Sequence, residues 1–515
     1  MVEEDSNGAE RLLGESALAR HGERAALVCG DEVLTYAQLA GEVRAASAAL
    51  RRLDVSPGDR VLFLMRDTPQ FAAAWLGAVH AGAVAIAANS RLSEADYRHI
   101  LADSAPRRVI VEDALMQARP DLGAELAREG RLSVAGRCPP GCESWDAQCA
   151  AARASAAPAR AVAPDAPAFI LYSSGTTGRP KGIVHAHRAF RHVGAAFRTI
   201  GVGEGDRVLS TSRFFFAYGL EHGLLAPLAC GATSVLLAEW AEPQSVLDAV
   251  QRHRPAALFS VPTTYRRLLA EPAERLAPLA GVRRFVAAGE RLTPQLFQQW
   301  QRATGGELLN LYGMSETFCA CMMTAPGESD GVRTGTPFPG VELRLVAPEQ
   351  EATVGGTGVL WVRHPAQALG YLNRPEEQAA QFDGGWFCSR DLFRRDASGA
   401  YVHQGRTDEL LKVAGQWVQP GELEEVAAAA GGVAEAACVP VEDADGMLRL
   451  ALFVTARAEA AAAERDAAAA CERALPRHKR PKWVRAVPEL PRTATGKVQR
   501  FKLREILERE LRRCG

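Results

Sequence analysis

The sequence predicts an α/β protein: a large N-terminal part built on parallel-rich sheets, a β-rich portion after it, and a small C-terminal α+β unit. Three observations predict it. Short apolar runs alternate with stretches of helical period from about residue 34 to residue 311, the pattern of strands joined by helices. From Gly335 the texture changes to short alternating runs with Gly and Pro turns, such as Gly358–Arg363 and Ala400–His403, which reads as a smaller β-rich portion. Beyond Gly405, two strand-like runs, Ala436–Val441 and Leu448–Thr455, precede an Ala/Glu/Arg-rich helix around Ala458–Leu475, and about 110 residues suffice for a small domain. The boundary is placed near Arg406–Asp408, giving domains 1–407 and 408–515.

The elements follow in order. Leu34–Leu53 reads as a helix with Leu39, Val43, Ala46 and Leu50 on its apolar face and Thr35 as N-cap. Ser56-Pro57-Gly58-Asp59 is a turn, and Val61–Met65 a buried strand. The spacing then predicts a helix over Phe71–Ala81 ended by Gly82, a strand at Ala83–Ala87, a helix from Ser93 and a strand at Arg108–Val111. Residues Ala147–Pro167, dominated by Ala, Arg, Pro and Asp, read as a surface connection. Ala168–Leu171 is a buried strand, and Ile183 onward opens the next element after a break at Gly182. Further strands are expected at Arg207–Ser210, Ser234–Ala238, Ala256–Val261, Arg284–Ala287 and Glu307–Leu311. Most end in a loop carrying polar or glycine residues, where open α/β sheets hold ligands.

Composition narrows the function classes. A chain of 515 residues with 47% hydrophobic and 23% charged residues is a globular protein of at least two domains. A formal net charge of -1 supplies no global field for nucleic acid or an anionic membrane. The acidic start MVEEDSNGAERLL has no apolar leader, and Phe71–Ala88 is broken by glycines and His80, so no membrane span is expected. Eleven scattered cysteines fit reduced thiols and a cytoplasmic setting, and Cys138, Cys142 and Cys149 lack a fourth ligand for zinc.

Between two of these runs lies YSSGTTGRPKG, Tyr172–Gly182. Its Ser173, Ser174, Gly175, Thr176, Thr177 and Gly178 offer backbone N–H groups and hydroxyls to phosphate oxygens, with Arg179 and Lys181 as counter-charge. It is not a Walker A loop, because Arg179 and Pro180 separate Gly178 from Lys181. Four further stretches join it: AAGERL (Ala287–Leu292), LYGMSET (Leu311–Thr317), GWFCSRDLF with GRTDELLKVAGQWVQPGELE (Gly385–Glu424), and PRTATGK (Pro491–Lys497), with LTYAQL (Leu34–Leu39) as a smaller feature.

In their order and spacing these stretches resemble the adenylate-forming superfamily, which includes acyl-CoA and aryl-CoA synthetases, firefly luciferase and peptide-synthetase adenylation domains. The resemblance implies an ATP-dependent ligase that activates a carboxylic acid as acyl-AMP and passes the acyl group to coenzyme A. Loading of a carrier-protein phosphopantetheine arm stays open as the alternative, and a catalytically silent nucleotide binder as a third reading. It further implies that the Ser173–Gly178 loop grips the triphosphate, that Glu316 holds Mg²⁺, and that Tyr312, with Gly313 beside it, lies against the adenine. Ala288, Gly289 and Glu290 would line the nucleotide, while Ser315, where the family more often has threonine, keeps a donor for the α-phosphate. Asp391 and Arg406 match the pair that meets ribose and phosphate, Lys497 the catalytic lysine, and Asp408 the hinge of a mobile C-terminal domain. Lys412, Gly415 and Trp417 would face the thiol side. Arg390 stands where glycine is usual, which matters if the backbone there needs a positive φ.

For the acid, SRFFFAYGLEHG (Ser212–Gly223) resembles the acid-binding segment of benzoate-CoA and related aryl-CoA ligases, with Phe216, Ala217, Tyr218 and Gly219 facing the substrate and Cys319 and Ala320 forming the opposite wall. Ala217 offers no acid at the place where amino-acid-activating relatives hold an ammonium, so the pocket is expected to be apolar and flat. Cys319 and Ala320 stand where benzoate-CoA ligases carry a larger His-Ile pair, which favours a substituted, bicyclic or longer acid over plain benzoate. Oligomeric state, a homodimer included, stays open.

Overall fold

The structure, a computed structural model, describes residues 7–155, 157–174, 179–347, 356–407, 411–413, 416–443, 447–492 and 498–514. Among the described residues two large sheets dominate. The first runs in the order Gly370–Tyr371, Pro180–Ala186, Pro167–Ser174, Val84–Ala87, Arg60–Leu64, Arg108–Glu112, Leu132–Ala135 and Glu143–Ser144. The second runs Thr336–Pro337, Met322–Met323, Leu308–Tyr312, Arg284–Ala287, Ala257–Ser260, Arg207–Ser210, Thr233–Leu236, Ala25–Cys29 and Glu32–Thr35. Their central strands pair in parallel and their middle residues are buried on both faces, which is why they are near-continuous apolar runs in sequence. The α/β expectation therefore holds.

Local chemistry sets the helix ends. The helix Tyr36–Arg52 is opened by Thr35, whose hydroxyl accepts from Gln38 N–H while the Gln38 side chain accepts from Thr35 N–H. Ser93 and Asp96 do the same for Glu94–Ser104. The predicted helix after the first strand spans Pro69–His80, with Thr68 as N-cap. It packs on Tyr36–Arg52 so closely that a Cβ on Gly77 would lie 2.6 Å from the Ala46 Cβ, and glycine permits that approach.

Two sequence expectations are corrected. Gly182 does not break the chain; it lies within the strand Pro180–Ala186, which pairs antiparallel with Pro167–Ser174. An ideal Cβ at Gly182 would sit 3.2 Å from Ile170, Leu372 and Tyr172 side-chain atoms, so the glycine serves packing there. The stretch read as a surface connection is at the surface, but it opens inside a helix, Trp145–Ala152, whose alanines carry helix propensity that the Pro-rich remainder masked.

The β-rich portion is a five-stranded antiparallel sheet of Glu342–Val346, Thr357–Arg363, Trp386–Arg395, Phe382–Asp383 and Tyr401–Arg406. Farther on, Val433–Glu442 pairs antiparallel with Leu448–Ala456, which runs parallel to Trp483–Ala486. The helices Pro420–Ala428 and Ala460–Ala474 bury Leu423, Ala463 and Ala467 on one side of this small sheet, and Leu503 and Leu507 of Arg500–Cys514 cover the other. Arg291 Nη1 lies 2.6 Å from Glu425 Oε1, tying the helix Pro420–Ala428 to the loop after Arg284–Ala287.

Five imidazoles are buried and neutral. Desolvation pushes His80, His187 and His364 down to about 4 and His185 and His222 down to about 3. Unfolded imidazoles protonate below about pH 6.5 while these do not, so their contribution is present at neutral pH and lost as pH falls through that value. Asp67 and Glu221, pushed up by burial to about 6 and about 8, pull the other way but are fewer. The melting temperature is expected to fall between pH 7.5 and pH 5; a constant or rising value in a thermal scan would contradict the neutral assignment of these histidines.

Candidate active site

The C-terminal ends of the parallel strands in the second sheet meet at one edge. Ser210 leads into the aromatic loop, Ala287 into Ala288–Glu290, and Tyr312 into Gly313–Ala320, the place where a parallel sheet presents loops and free N–H groups to a ligand.

Tyr312 is joined to the β-rich sheet. Its hydroxyl donates to Asp391, and Arg406 Nη1 lies 3.1 Å from the other Asp391 oxygen. Asp391 and Arg406 are cross-strand partners, so the sheet register itself sets the pair. His403 Nε2 is 3.8 Å from Asp391, and the Tyr312 ring meets Phe393 edge-on at 5.0 Å. Burial and the Asp391 carboxylate push the Tyr312 phenol well above its ordinary value, so it stays a donor.

A second cluster surrounds Glu316. Lys181 Nζ lies 3.5 Å from Glu316 Oε1 and 4.0 Å above the Tyr371 ring, while the Tyr371 hydroxyl donates to Glu316 at 2.9 Å. Lys181 reaches Glu316 from strand Pro180–Ala186, so the two sheets meet at this pair. Ser315 and Glu316 are both partly buried. Ser173 and the Ser174 backbone end the neighbouring strand. Glu290 faces its own scaffold, accepting from Thr263 N–H at 3.0 Å and Thr263 Oγ1 at 2.7 Å; Ala288 is buried and Gly289 takes φ +80°. Gly313 packs so tightly that a Cβ would lie 3.0 Å from the Ala320 Cα.

The loop turns sharply at Phe318, which adopts φ +59°. Thr317 Oγ1 donates into the turn toward the Cys319 carbonyl at 3.0 Å, and the Phe318 ring seats on Phe169 at 4.8 Å and His185 at 5.5 Å. This strained turn carries Ser315 and Glu316 on one side and Cys319 and Ala320 on the other.

In the aromatic loop, Phe214 and Phe215 are core residues, whereas Phe216 and Tyr218 are partly exposed. The Tyr218 hydroxyl donates to the Val286 carbonyl at 3.0 Å. A Cβ at Gly219 would sit 2.1 Å from the Arg213 carbonyl oxygen, so only glycine fits. A buried carboxyl stands behind this wall. Glu221, one helical turn beyond Ala217, is fully buried and its Oε2 accepts from Ala320 N–H at 3.1 Å. The expectation considered position 217 alone and passed over the next turn, where the Glu-His pair of SRFFFAYGLEHG was the available signal.

Other partners were missed as well. Tyr371 and His403 stand in short β-runs whose sequence carries no motif, and only the sheet pairing brings them to Glu316 and Asp391. Gly175, Thr176, Thr177, Gly178, Asp408, Gly415 and Lys497 lie outside the described residues, as do the side chains of Ser174, Lys412 and Trp417. Arg390 has φ +61°, and its carbonyl accepts from Thr407 Oγ1 at 3.0 Å.

Comparison with known proteins gives the class that this fold and site define. Residues 14–372 match the model of the AMP-binding enzyme family and residues 422–497 that of the AMP-binding enzyme C-terminal domain. The chain belongs to the AMP-binding enzymes. It is 36% identical over 521 residues to a 3-hydroxybenzoate–CoA/4-hydroxybenzoate–CoA ligase of Thauera aromatica, covering 99% of each chain. A benzoate–CoA ligase of the same organism is 37% identical over 98% of this chain and 96% of its own. Among solved structures, an anthranilate CoA ligase in complex with anthranoyl-AMP superposes with a TM-score of 0.89 at 30% identity, covering 98% of both chains.

Two outcomes test this geometry. Arg390→Gly is expected to stabilise the fold by about 1 kcal/mol, because arginine at a left-handed φ costs about that much; a lower urea midpoint would contradict it. Gly219→Ala is expected to destabilise by about 1–3 kcal/mol and to raise the KM for the acid, read by thermal melting and steady-state kinetics.

Proposed function

We propose that the protein is an ATP-dependent aryl acid–coenzyme A ligase. It forms an acyl-adenylate and releases pyrophosphate, then transfers the acyl group to the thiol. The observation that carries this is the single loop Gly313–Ala320, which joins the Glu316 cluster to the wall of Cys319 and Ala320. A carboxylate lying along that wall stands next to the phosphates. The matches to hydroxybenzoate–CoA and benzoate–CoA ligases over nearly the full chain support the aryl and CoA assignments.

In the first step a carboxylate oxygen attacks the α-phosphorus and the bond to the β-phosphate oxygen breaks, pyrophosphate leaving. Asp391 accepts from the ribose hydroxyls, while Arg406 and Lys497 offset negative charge on the phosphate and carboxylate oxygens. The loop Ser173–Gly178 with Lys181 holds the β- and γ-phosphates. Glu316, a hard carboxylate with Lys181 and Tyr371 already on Oε1, leaves its second oxygen for Mg²⁺. The ion would neutralise phosphate charge there, with phosphate and water oxygens completing its shell. In the second step the thiol sulfur attacks the acyl carbon, the bond to AMP breaks and the thiol proton passes to solvent. The C-terminal domain, 408–515, turns about Asp408 between the steps, bringing Lys412, Gly415 and Trp417 to the thiol side. The small residues Cys319 and Ala320 favour a substituted or bicyclic aromatic acid over benzoate.

Mixing protein, ATP, Mg²⁺ and a panel of aryl acids with hydroxylamine should trap the activated acyl group, and adding CoA should consume its free thiol. Trapping without loss of CoA thiol would shift the acceptor to a carrier protein. Benzoate as the best acid would overturn the size argument. Lys497→Ala is expected to lower adenylation about 10²–10³-fold, and Asp391→Asn to raise the KM for ATP about tenfold. Unchanged ATP/pyrophosphate exchange in Lys497→Ala would remove that residue from the mechanism.

A further inference from the structure

The helix that opens at Ala217 passes into a π-helical turn, Glu221–Leu225, and such turns insert an extra residue where a side chain must be re-aimed. Ala217 and Glu221 share one helix face, and Tyr218 and His222 the next. Glu221 is therefore one layer deeper than Ala217, the residue proposed to meet the acid.

Its carboxyl touches the Cys319–Ala320 wall of that pocket. Ala320 N–H donates to Oε2 at 3.1 Å, and the Cys319 thiol and the Gly194 N–H also bond the carboxyl. The side chain is only 2% exposed. Among the described residues no cation answers it at contact distance: Arg198 acts only through space, and His222 Nδ1 at 3.6 Å belongs to a ring that burial keeps neutral. His222 Nδ1 lies 3.1 Å from the Tyr218 carbonyl and so carries the ring proton, which leaves Nε2 an acceptor without a partner among the described residues. The ring is packed between Phe259 at 4.8 Å and Tyr218 at 5.0 Å.

A buried carboxyl costs stability unless its hydrogen-bonding capacity is used. A non-polar side chain would fill this layer at lower cost, as the neighbouring Leu220, Leu224 and Leu225 do. Three donors leave part of the carboxyl's capacity free, and the imidazole beside it has a spare acceptor. The imidazole can take a donor, and so can a carboxyl oxygen in either protonation state; the carboxyl lies against Ala320, on the wall opposite Ala217.

We propose that Glu221 selects the ring substituent of the acid, favouring aromatic acids that carry a hydroxyl or amino donor on the ring edge away from the reacting carboxylate. The inference rests on the aryl-ligase reading and on the Ala217–Ala320 pocket. It adds the residue that distinguishes one aryl acid from another. The methyl-substituted acid of equal size is the discriminating competitor, because it fills the same space and leaves Glu221 unpaired.

The test compares kcat/KM, with CoA-thiol consumption as readout, for 3- and 4-hydroxybenzoate and 3- and 4-aminobenzoate against 3- and 4-methylbenzoate. For the wild-type protein the best donor-bearing acid is expected to exceed its methyl counterpart by about 10–100-fold. In Glu221→Met the ratio is expected to fall to near one through gain of the methyl acid as well as loss of the donor acid, and in Glu221→Gln to lie between. A wild-type preference for the methyl acid, or a ratio unchanged in Glu221→Met, overturns the proposal. If Glu221→Met does not fold, the wild-type panel and Glu221→Gln decide: an unchanged ratio in Glu221→Gln with a methyl preference in the wild type rejects it. Thioester formation with every acid at equal efficiency rejects the role of Glu221 alone, whereas no thioester from any aromatic acid rejects the aryl-ligase reading itself.

Discussion

The hydrogen bond from Tyr312 to Asp391 is the contact on which the rest of the site depends. Tyr312 ends a strand of the parallel sheet and Asp391 lies in the antiparallel one. The bond fixes one sheet against the other. Arg406 then arrives by register, since Asp391 and Arg406 face each other across the ladder. Buried at 12% side-chain exposure, the Asp391 carboxylate is held by a phenol and a guanidinium, which keeps it aimed.

The loop after Tyr312 divides its labour by direction. Ser315 and Glu316 turn toward Lys181 and the Gly-rich segment, while Cys319 and Ala320 turn toward the aromatic helix. The left-handed Phe318 is the reversal between them, and its ring is clamped by Phe169 and His185 of the other sheet. Backbone strain of this kind persists only where surrounding packing over-determines it. Here the packing is a stack of aromatic rings in a fully buried position.

Much of this was legible in the sequence, and for physical reasons. Buried parallel strands must be apolar on both faces, so Arg207–Ser210 and Arg284–Ala287 were found to the residue. Caps such as Thr35 and Ser93 are local chemistry and read directly. What depends on pairing between distant segments was not readable. Tyr371 reaches Glu316 only because Gly370–Tyr371 joins the edge of the first sheet, and Gly182 looked like a break because its packing partners, Ile170 and Leu372, are remote in sequence. Glu221 was hidden likewise. The Glu-His pair stands one turn beyond Ala217, but its burial against Ala320 depends on the loop after Tyr312, which is remote in sequence.

The ion pair between Arg291 and Glu425 has a consequence for how the enzyme responds to its medium. Arg291 follows Glu290 at the nucleotide edge, and Glu425 lies on a helix that packs on the small C-terminal sheet. Both side chains are about one-third exposed, so the attraction is worth at most about 1 kcal/mol and is weakened by salt. A contact of that size opens on thermal fluctuation, and rising ionic strength weakens this tie between the loop after Arg284–Ala287 and the helix Pro420–Ala428.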